Sequence, residues 1–194
     1  MAELTQIKVW DPLVRFFHWS LASSFIIAYI TSENLITVHS WAGYLIISLL
    51  LIRTLWGFIG SHYARFADFI YSPATIKQFF QETIHLKAKR YIGHNPAGGA
   101  MIIALMLSLF LTTATGMLLL GSDEHSGPFA SLFLETSKEW SDIFEETHEF
   151  FANLTILLII GHLFGVLIES FIHKENLALS MITGFKPKRT RDRQ

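Results

Sequence analysis

Four stretches with no charged residue, or only one, constrain this chain more than any other feature of its sequence. They are Phe16 to Ser32, Val38 to Gly60 broken only by Arg53, Gly98 to Gly121, and Phe150 to Ile168. A helix needs about 20 mostly apolar residues to cross a bilayer, and each stretch is long enough. The expected fold is an all-α integral membrane four-helix bundle, one domain over 1–194, with spans at about 14–32, 38–60, 98–121 and 148–172. Trp10, Asp11, Pro12 and Arg15 precede the first span and no small-residue cleavage site closes it, so it reads as a retained helix. Composition agrees: 51% of the 194 residues are apolar and the mean hydropathy is +0.40. The 15 Lys and Arg against 16 Asp and Glu leave a charge of −1, which provides no basic field for nucleic acid. The absence of cysteine excludes disulfides, thiolate zinc sites, iron–sulfur ligation and covalent c-type haem attachment.

The links between spans set their orientation. Arg65, Lys77, Lys87, Lys89 and Arg90 lie between the second and third spans. A basic tail at 174–194 follows the fourth, with Lys174, Lys186, Lys188, Arg189, Arg191 and Arg193, read as a solvated stop-transfer segment that touches anionic lipid. The Thr31 to Thr37 link has no basic residue. The third-to-fourth link sets Lys138 against Asp123, Glu124, Glu135, Glu139, Asp142, Glu145 and Glu146. Basic loops stay inside, which puts both termini in the cytoplasm. Ser72 and Pro73 open a helix with Ile76, Phe79, Phe80 and Ile84 on one face, suited to the cytoplasmic interface or to a partner. Thr136 and Glu139 have capping-box spacing, and Trp140, Ile143, Phe144 and Thr147 follow at helical intervals, so the fourth helix begins before the membrane.

Histidine inside a membrane span is costly unless it is paired, hydrogen-bonded or ligated. His18 lies near the inner end of the first span, His39 at the outer start of the second, and His148 and His162 on the fourth. From His148 to His162 is 162 − 148 = 14 residues, roughly 21 Å of helix and about 40° short of four turns. These two histidines therefore share a face at two depths. His162 matches the depth of His18, and His148 that of His39. Two imidazoles from two helices at each of two levels suit bis-histidine haem, a planar macrocycle with an axial ligand on either side of its iron. Ala22, Gly43 and Ala152 one turn beyond His18, His39 and His148, with Gly161 and Gly165 flanking His162, leave room for a porphyrin. The two levels are too far apart to share one tetrahedral zinc.

Arg53 lies 14 residues after His39 (53 − 39), on the same face and at the inner level, where a guanidinium can pair with a haem propionate. Arg15, one turn before His18, is a second such residue. The competing reading for both is snorkelling to the headgroups. His62, His85, His94, His125 and His173 fall in links or at span ends and read as surface or interfacial.

Several motifs together resemble one family. They are Lys8-Val9-Trp10-Asp11-Pro12 to Phe17-His18-Trp19, Val38-His39-Ser40-Trp41-Ala42-Gly43, Gly93-His94-Asn95-Pro96, Thr147-His148-Glu149 with Ala152-Asn153-Leu154, Gly161-His162, and His173-Lys174-Glu175-Asn176-Leu177. The chain resembles the bacterial di-haem cytochrome b561 family, which includes the b-type cytochrome subunits of nickel–iron hydrogenases. The resemblance implies four helices holding two b haems, with His18 and His162 on the inner iron and His39 and His148 on the outer. The depth arithmetic gives the same pairing.

The expected function is transmembrane electron transfer through two b haems in the bacterial inner membrane, between quinone or quinol and a periplasmic redox protein. That partner is a c-type cytochrome or a hydrogenase-like subunit, which the acidic outer link suits. A homodimer is compatible with so small a bundle. Bis-histidine iron has no open position, which disfavours oxygen activation at the metal; outer-sphere superoxide oxidation feeding quinone is the alternative that the family resemblance leaves open. A haem-free transporter relaying protons through histidines and a haem-free membrane anchor are the rivals outside it, and both predict a colourless protein.

Overall fold

A computed structural model of the chain describes residues 6–134 and 138–188. Among these residues the order is β1 (Gln6–Lys8), α1 (Pro12–Thr31), α2 (Ile36–Ile59), α3 (Phe66–Phe69), α4 (Pro73–Ile84), α5 (Pro96–Ser122), α6 (Lys138–His173), α7 (Leu177–Thr183) and β2 (Phe185–Pro187). The architecture is all-α, and α1, α2, α5 and α6 are the four helices long and apolar enough to span a membrane. Their hydroxyls do not depend on water. Ser24, Thr31, Ser48, Thr113 and Thr115 each donate to the carbonyl four residues back, the local solution available in lipid. Large apolar side chains such as Phe16, Phe58, Leu163 and Phe164 point outward, as a hydrocarbon solvent permits.

Helix ends follow local chemistry. The Asn95 side chain accepts the Gly98 amide at 2.6 Å and Pro96 occupies the first turn, so α5 starts two residues before the expected span. Ser72 caps α4 by accepting the Thr75 amide at 3.2 Å, with Pro73 behind it. The face expected on α4 is split: Phe79 is buried, whereas Phe80 and Ile84 are exposed. In α6 the helical run through Trp140, Ile143, Phe144 and Thr147 is unbroken from Lys138. Thr136, the other half of the expected capping box, and Arg189, Arg191 and Arg193 of the basic tail lie outside the described residues.

The chain divides into two compact units. The first comprises the N-terminal segment to His18, Arg53 to Ile103, and Ile160 onward. Its core is Val9, Trp10, Val14 and Ala64, lined by Ile7, Trp56, Tyr63, Ile92 and Met181. Asp11 organises the start of α1. Its carboxylate accepts the Val14 amide at 2.9 Å, the Trp56 indole at 3.0 Å and the Ser61 hydroxyl. Burial pushes its pKa up, but hydrogen bonds from Ser61, Val14, Trp56 and Leu13 outweigh burial and hold it below the usual carboxylate value.

The C-terminal segment folds back onto this core. Asn176 caps α7 by accepting the Leu179 amide at 2.8 Å, and Gly184 closes it at φ +90°. The Gly184 carbonyl then accepts the Val9 and Trp10 amides, and β2 pairs antiparallel with β1, Ile7 opposite Lys186. Lys186 is therefore not a solvated tail residue: it is 5% exposed, with its ammonium 5.6 Å from the centroid of the Trp10 ring. The pairing to β1 pulls it inward, a long-range contact that a run of basic residues does not encode. Arg90 bonds Glu175 and the Pro187 carbonyl, fastening the segment before α5 to the same sheet.

The second unit comprises Trp19 to Ile52 and Ala104 to Ile159. Ala42, Ile46, Leu49, Leu50 and Leu109 are buried in it. A hydroxyl cluster joins α5 to α6: Ser108 and Thr155 are 2.8 Å apart, and Thr112 is 3.3 Å from Thr155. All three are buried.

Candidate haem-binding sites

In the second unit His39 faces His148, with ring centroids 5.9 Å apart and planes at 79°. Both rings are fixed from behind. His39 Nδ1 is 2.8 Å from the Ala28 carbonyl of α1, and His148 Nδ1 is 2.9 Å from the Thr112 carbonyl of α5. A carbonyl oxygen only accepts, so each Nδ1 is the donor, and Nε2 is left as the ring nitrogen a metal would take. His148 comes this close to α5 because residue 116 is glycine. A Cβ there would stand 2.9 Å from His148 Cε1 and 3.0 Å from Nδ1. Sequence reading missed Gly116; the available signal was a glycine in the interior of an apolar helix, which usually marks a close approach. A Cβ at Gly43, one turn after His39, would meet nothing within 4 Å.

In the first unit His18 faces His162, with centroids 6.4 Å apart and planes at 52°. Gly161 lies against Met101, and a Cβ at Gly165 would meet nothing within 4 Å.

These separations test whether haem fits. A metal–imidazole bond is about 2 Å, and a ring centroid lies about 1 Å behind its coordinating nitrogen. Two imidazoles on one iron therefore have centroids about 6 Å apart. Both pairs meet that spacing, and in the His39/His148 pair each Nδ1 is already bonded to a carbonyl, as in a histidine that ligates through Nε2. The residues present fit the group.

The two arginines are engaged elsewhere. Arg53 is buried at 3% exposure; one terminal nitrogen donates to the Ala64 carbonyl at 3.0 Å, and the guanidinium lies 5.4 Å from the Phe66 ring centroid and 5.8 Å from that of Phe69. Its other terminal nitrogen, Nη1, is buried with no partner among the described residues. Arg15 donates to the Ile182 carbonyl at the end of α7, while its buried Nε has no partner among the described residues. Both thus retain an unused donor in the unit that holds His18 and His162.

Of the remaining histidines, His62, His85 and His125 are exposed, whereas His94 and His173 are half-buried in the first unit. His94 lies between Trp10 at 4.6 Å and Phe69 at 4.8 Å, measured between ring centroids. Burial, reinforced by the charges of Arg53 and Lys186, lowers its pKa to about 3, so it is neutral at physiological pH. Its place beside Trp10 depends on the fold of the N-terminal segment, which position in a link did not reveal.

The chain matches the prokaryotic cytochrome b561 family over residues 9–184. It belongs to that family. As a b-type cytochrome it uses haem iron to carry electrons, and it is a multi-pass membrane protein. Curated relatives resemble this cytochrome b561 over most of their length. A probable Ni/Fe-hydrogenase B-type cytochrome subunit of Bradyrhizobium diazoefficiens is 25% identical over 211 aligned positions, covering 92% of the chain and 85% of the relative. Proteins of the same description from Rhizobium leguminosarum bv. viciae and Azotobacter vinelandii are 24% and 23% identical, each covering 94% of the chain and 89% of the relative. No solved structure matches it.

Proposed function

We propose that this cytochrome b561 holds two b haems, one between His18 and His162 and one between His39 and His148, and passes electrons through them across the bacterial inner membrane. The observation that carries this reading is the pair of centroid separations, 6.4 and 5.9 Å, each matching two imidazoles on a shared iron. A b haem so ligated accepts and releases one electron at a time. The chain's own residues do the rest. The Ala28 and Thr112 carbonyls hold the outer imidazoles in their ligating tautomer, and a hydrogen-bonded Nδ1 makes Nε2 more basic, favouring ferric iron. Arg15 Nε and Arg53 Nη1 are donors left over for propionates of the inner haem.

Loop charge supports an orientation with both termini in the cytoplasm, the His18/His162 site toward that side, and the acidic link before α6 toward the periplasm. The electron partners are then quinone or quinol in the membrane and a redox protein outside. The names of the relatives favour a hydrogenase-like subunit over a c-type cytochrome for that role.

A reduced-minus-oxidised spectrum with pyridine-haemochrome quantification tests the ligands. The intact protein is expected to hold two b haems per chain; His162→Ala should lose the inner haem and His39→Ala the outer, each keeping the other. Retention of both haems in either variant overturns the assignment of that pair.

A further inference from the structure

Glu169 and His173 occupy the last turns of α6, one turn apart, with carboxylate and imidazole 3.3 Å from each other. Seven residues separate Glu169 from His162 (169 − 162), about 700° of rotation, or 20° short of two turns. Eleven separate His173 from His162 (173 − 162), about 20° past three turns. Both side chains thus project from the face of α6 that carries His162, the carboxylate roughly 10 Å further along the axis. Glu169 is 8% exposed, and its Oε1 is buried with no hydrogen-bond partner among the described residues. A buried carboxylate oxygen with no donor is costly to leave so, and it has capacity for a proton.

The groups around the pair come from three further segments. Arg90 precedes α5, Glu175 follows α6, and Lys186 comes from β2; Glu175 and Glu169 attract the Lys186 ammonium while Arg90 repels it. With Arg90 and Lys186 positive and Glu169 and Glu175 negative, the formal charges cancel while His173 is neutral, and one added proton leaves the cluster at +1. An electron placed on iron nearby, in surroundings that screen little, favours that proton.

We propose that Glu169 and His173 form a proton-binding site that takes up a proton when the His18/His162 haem is reduced. The inference rests on the haem ligation proposed above. The pair takes its proton from water, forming one N–H or O–H bond, as a one-electron donor turns the iron from ferric to ferrous; where that donor is a quinol, the proton it loses with its electron goes to water. It returns the proton when the electron leaves. The His173 side chain is 12% exposed, so the pair is not sealed from its surroundings, although its Nε2 is buried against Glu169.

Potentiometric titration of the purified holoprotein between about pH 6 and pH 8 tests this, with the His39→Ala variant identifying the inner haem. The inner midpoint should fall as pH rises, toward the one-proton limit of about 59 mV per tenfold change in proton activity. Glu169→Gln and His173→Gln should each at least halve that slope while both haems stay bound, and Glu169→Gln should remove a carboxyl band from the redox infrared difference spectrum. Two bound haems with a flat inner midpoint in the unsubstituted protein, or a slope that neither variant changes, overturn the proton site and leave the ligands standing. Fewer than two haems overturns the ligand assignment and the proton site with it.

Discussion

At Gly116 a single hydrogen separates α5 from the His148 imidazole. Ala at this position adds a carbon 2.9 Å from Cε1, so either the ring turns away from its partner or the helices part. Overpacking of this kind costs about 1–3 kcal/mol. On the proposed ligation, Gly116→Ala is expected to lower haem content toward one per chain, with the surviving haem assigned to the His18/His162 pair; two fully bound haems would contradict the close approach. Lys186 gives a pH signature. Burial first, then the charge of Arg90, lowers its pKa from 10.5 to about 8 despite Glu175 and Glu169. Between these values the unfolded chain binds a proton that the folded chain does not, so this group's contribution to stability rises with pH from about 8 to 10.5. Thermal unfolding in detergent across that range should show the rise in the unsubstituted protein and not in Lys186→Met.

Between elements, the second unit uses polar contacts where a soluble protein would rely on the hydrophobic effect, because lipid offers α5 and α6 no drive to exclude it. Ser108 and Thr155 meet at 2.8 Å. Thr112, which shares their cluster, presents the carbonyl that holds His148. Removing one hydroxyl costs about 0.6–2 kcal/mol in this setting. Thr155→Val should therefore lower the temperature at which the outer haem is released, followed by its Soret band, and leave the inner haem's release unchanged. The first unit depends instead on the chain ends. β1 and β2, with Trp10 beneath them and Gly184 at the turn, hold the end of α7 against the start of α1. A Cβ at Gly184 would lie 2.8 Å from the Trp10 carbonyl at φ +90°, a backbone conformation L-residues disfavour. Gly184→Ala is expected to cost about 1 kcal/mol or more and to lower the unfolding midpoint.

For the molecule as a whole, each unit contains one complete histidine pair, and unbroken α6 supplies a histidine to both. On the proposed ligation, loss of either haem should stop electron passage while leaving the other haem reducible from its own side. In vesicles with an impermeant reductant outside and an oxidant trapped inside, His39→Ala and His162→Ala should each reduce transmembrane electron flux to the background of empty vesicles. Flux at the unsubstituted level in either variant would mean that electrons do not need both sites.

The sequence by itself determined the four spans, because long uncharged runs have one stable solution in a bilayer. It also indicated which histidines face one another, His18 with His162 and His39 with His148, because helical rise and rotation convert spacing into depth and face. Family membership was legible in the motifs on those spans. Tertiary structure decided what spacing along single helices cannot carry. Gly116 matters only because His148 packs against it, and Arg53 turns to the Ala64 carbonyl and two phenyl rings because the segment after α2 folds back over it. His94 and Lys186 read as surface residues until Trp10 is placed between them, and that placement comes from strand pairing between the two ends of the chain. Periodicity reports local geometry, whereas these contacts depend on which distant residues meet.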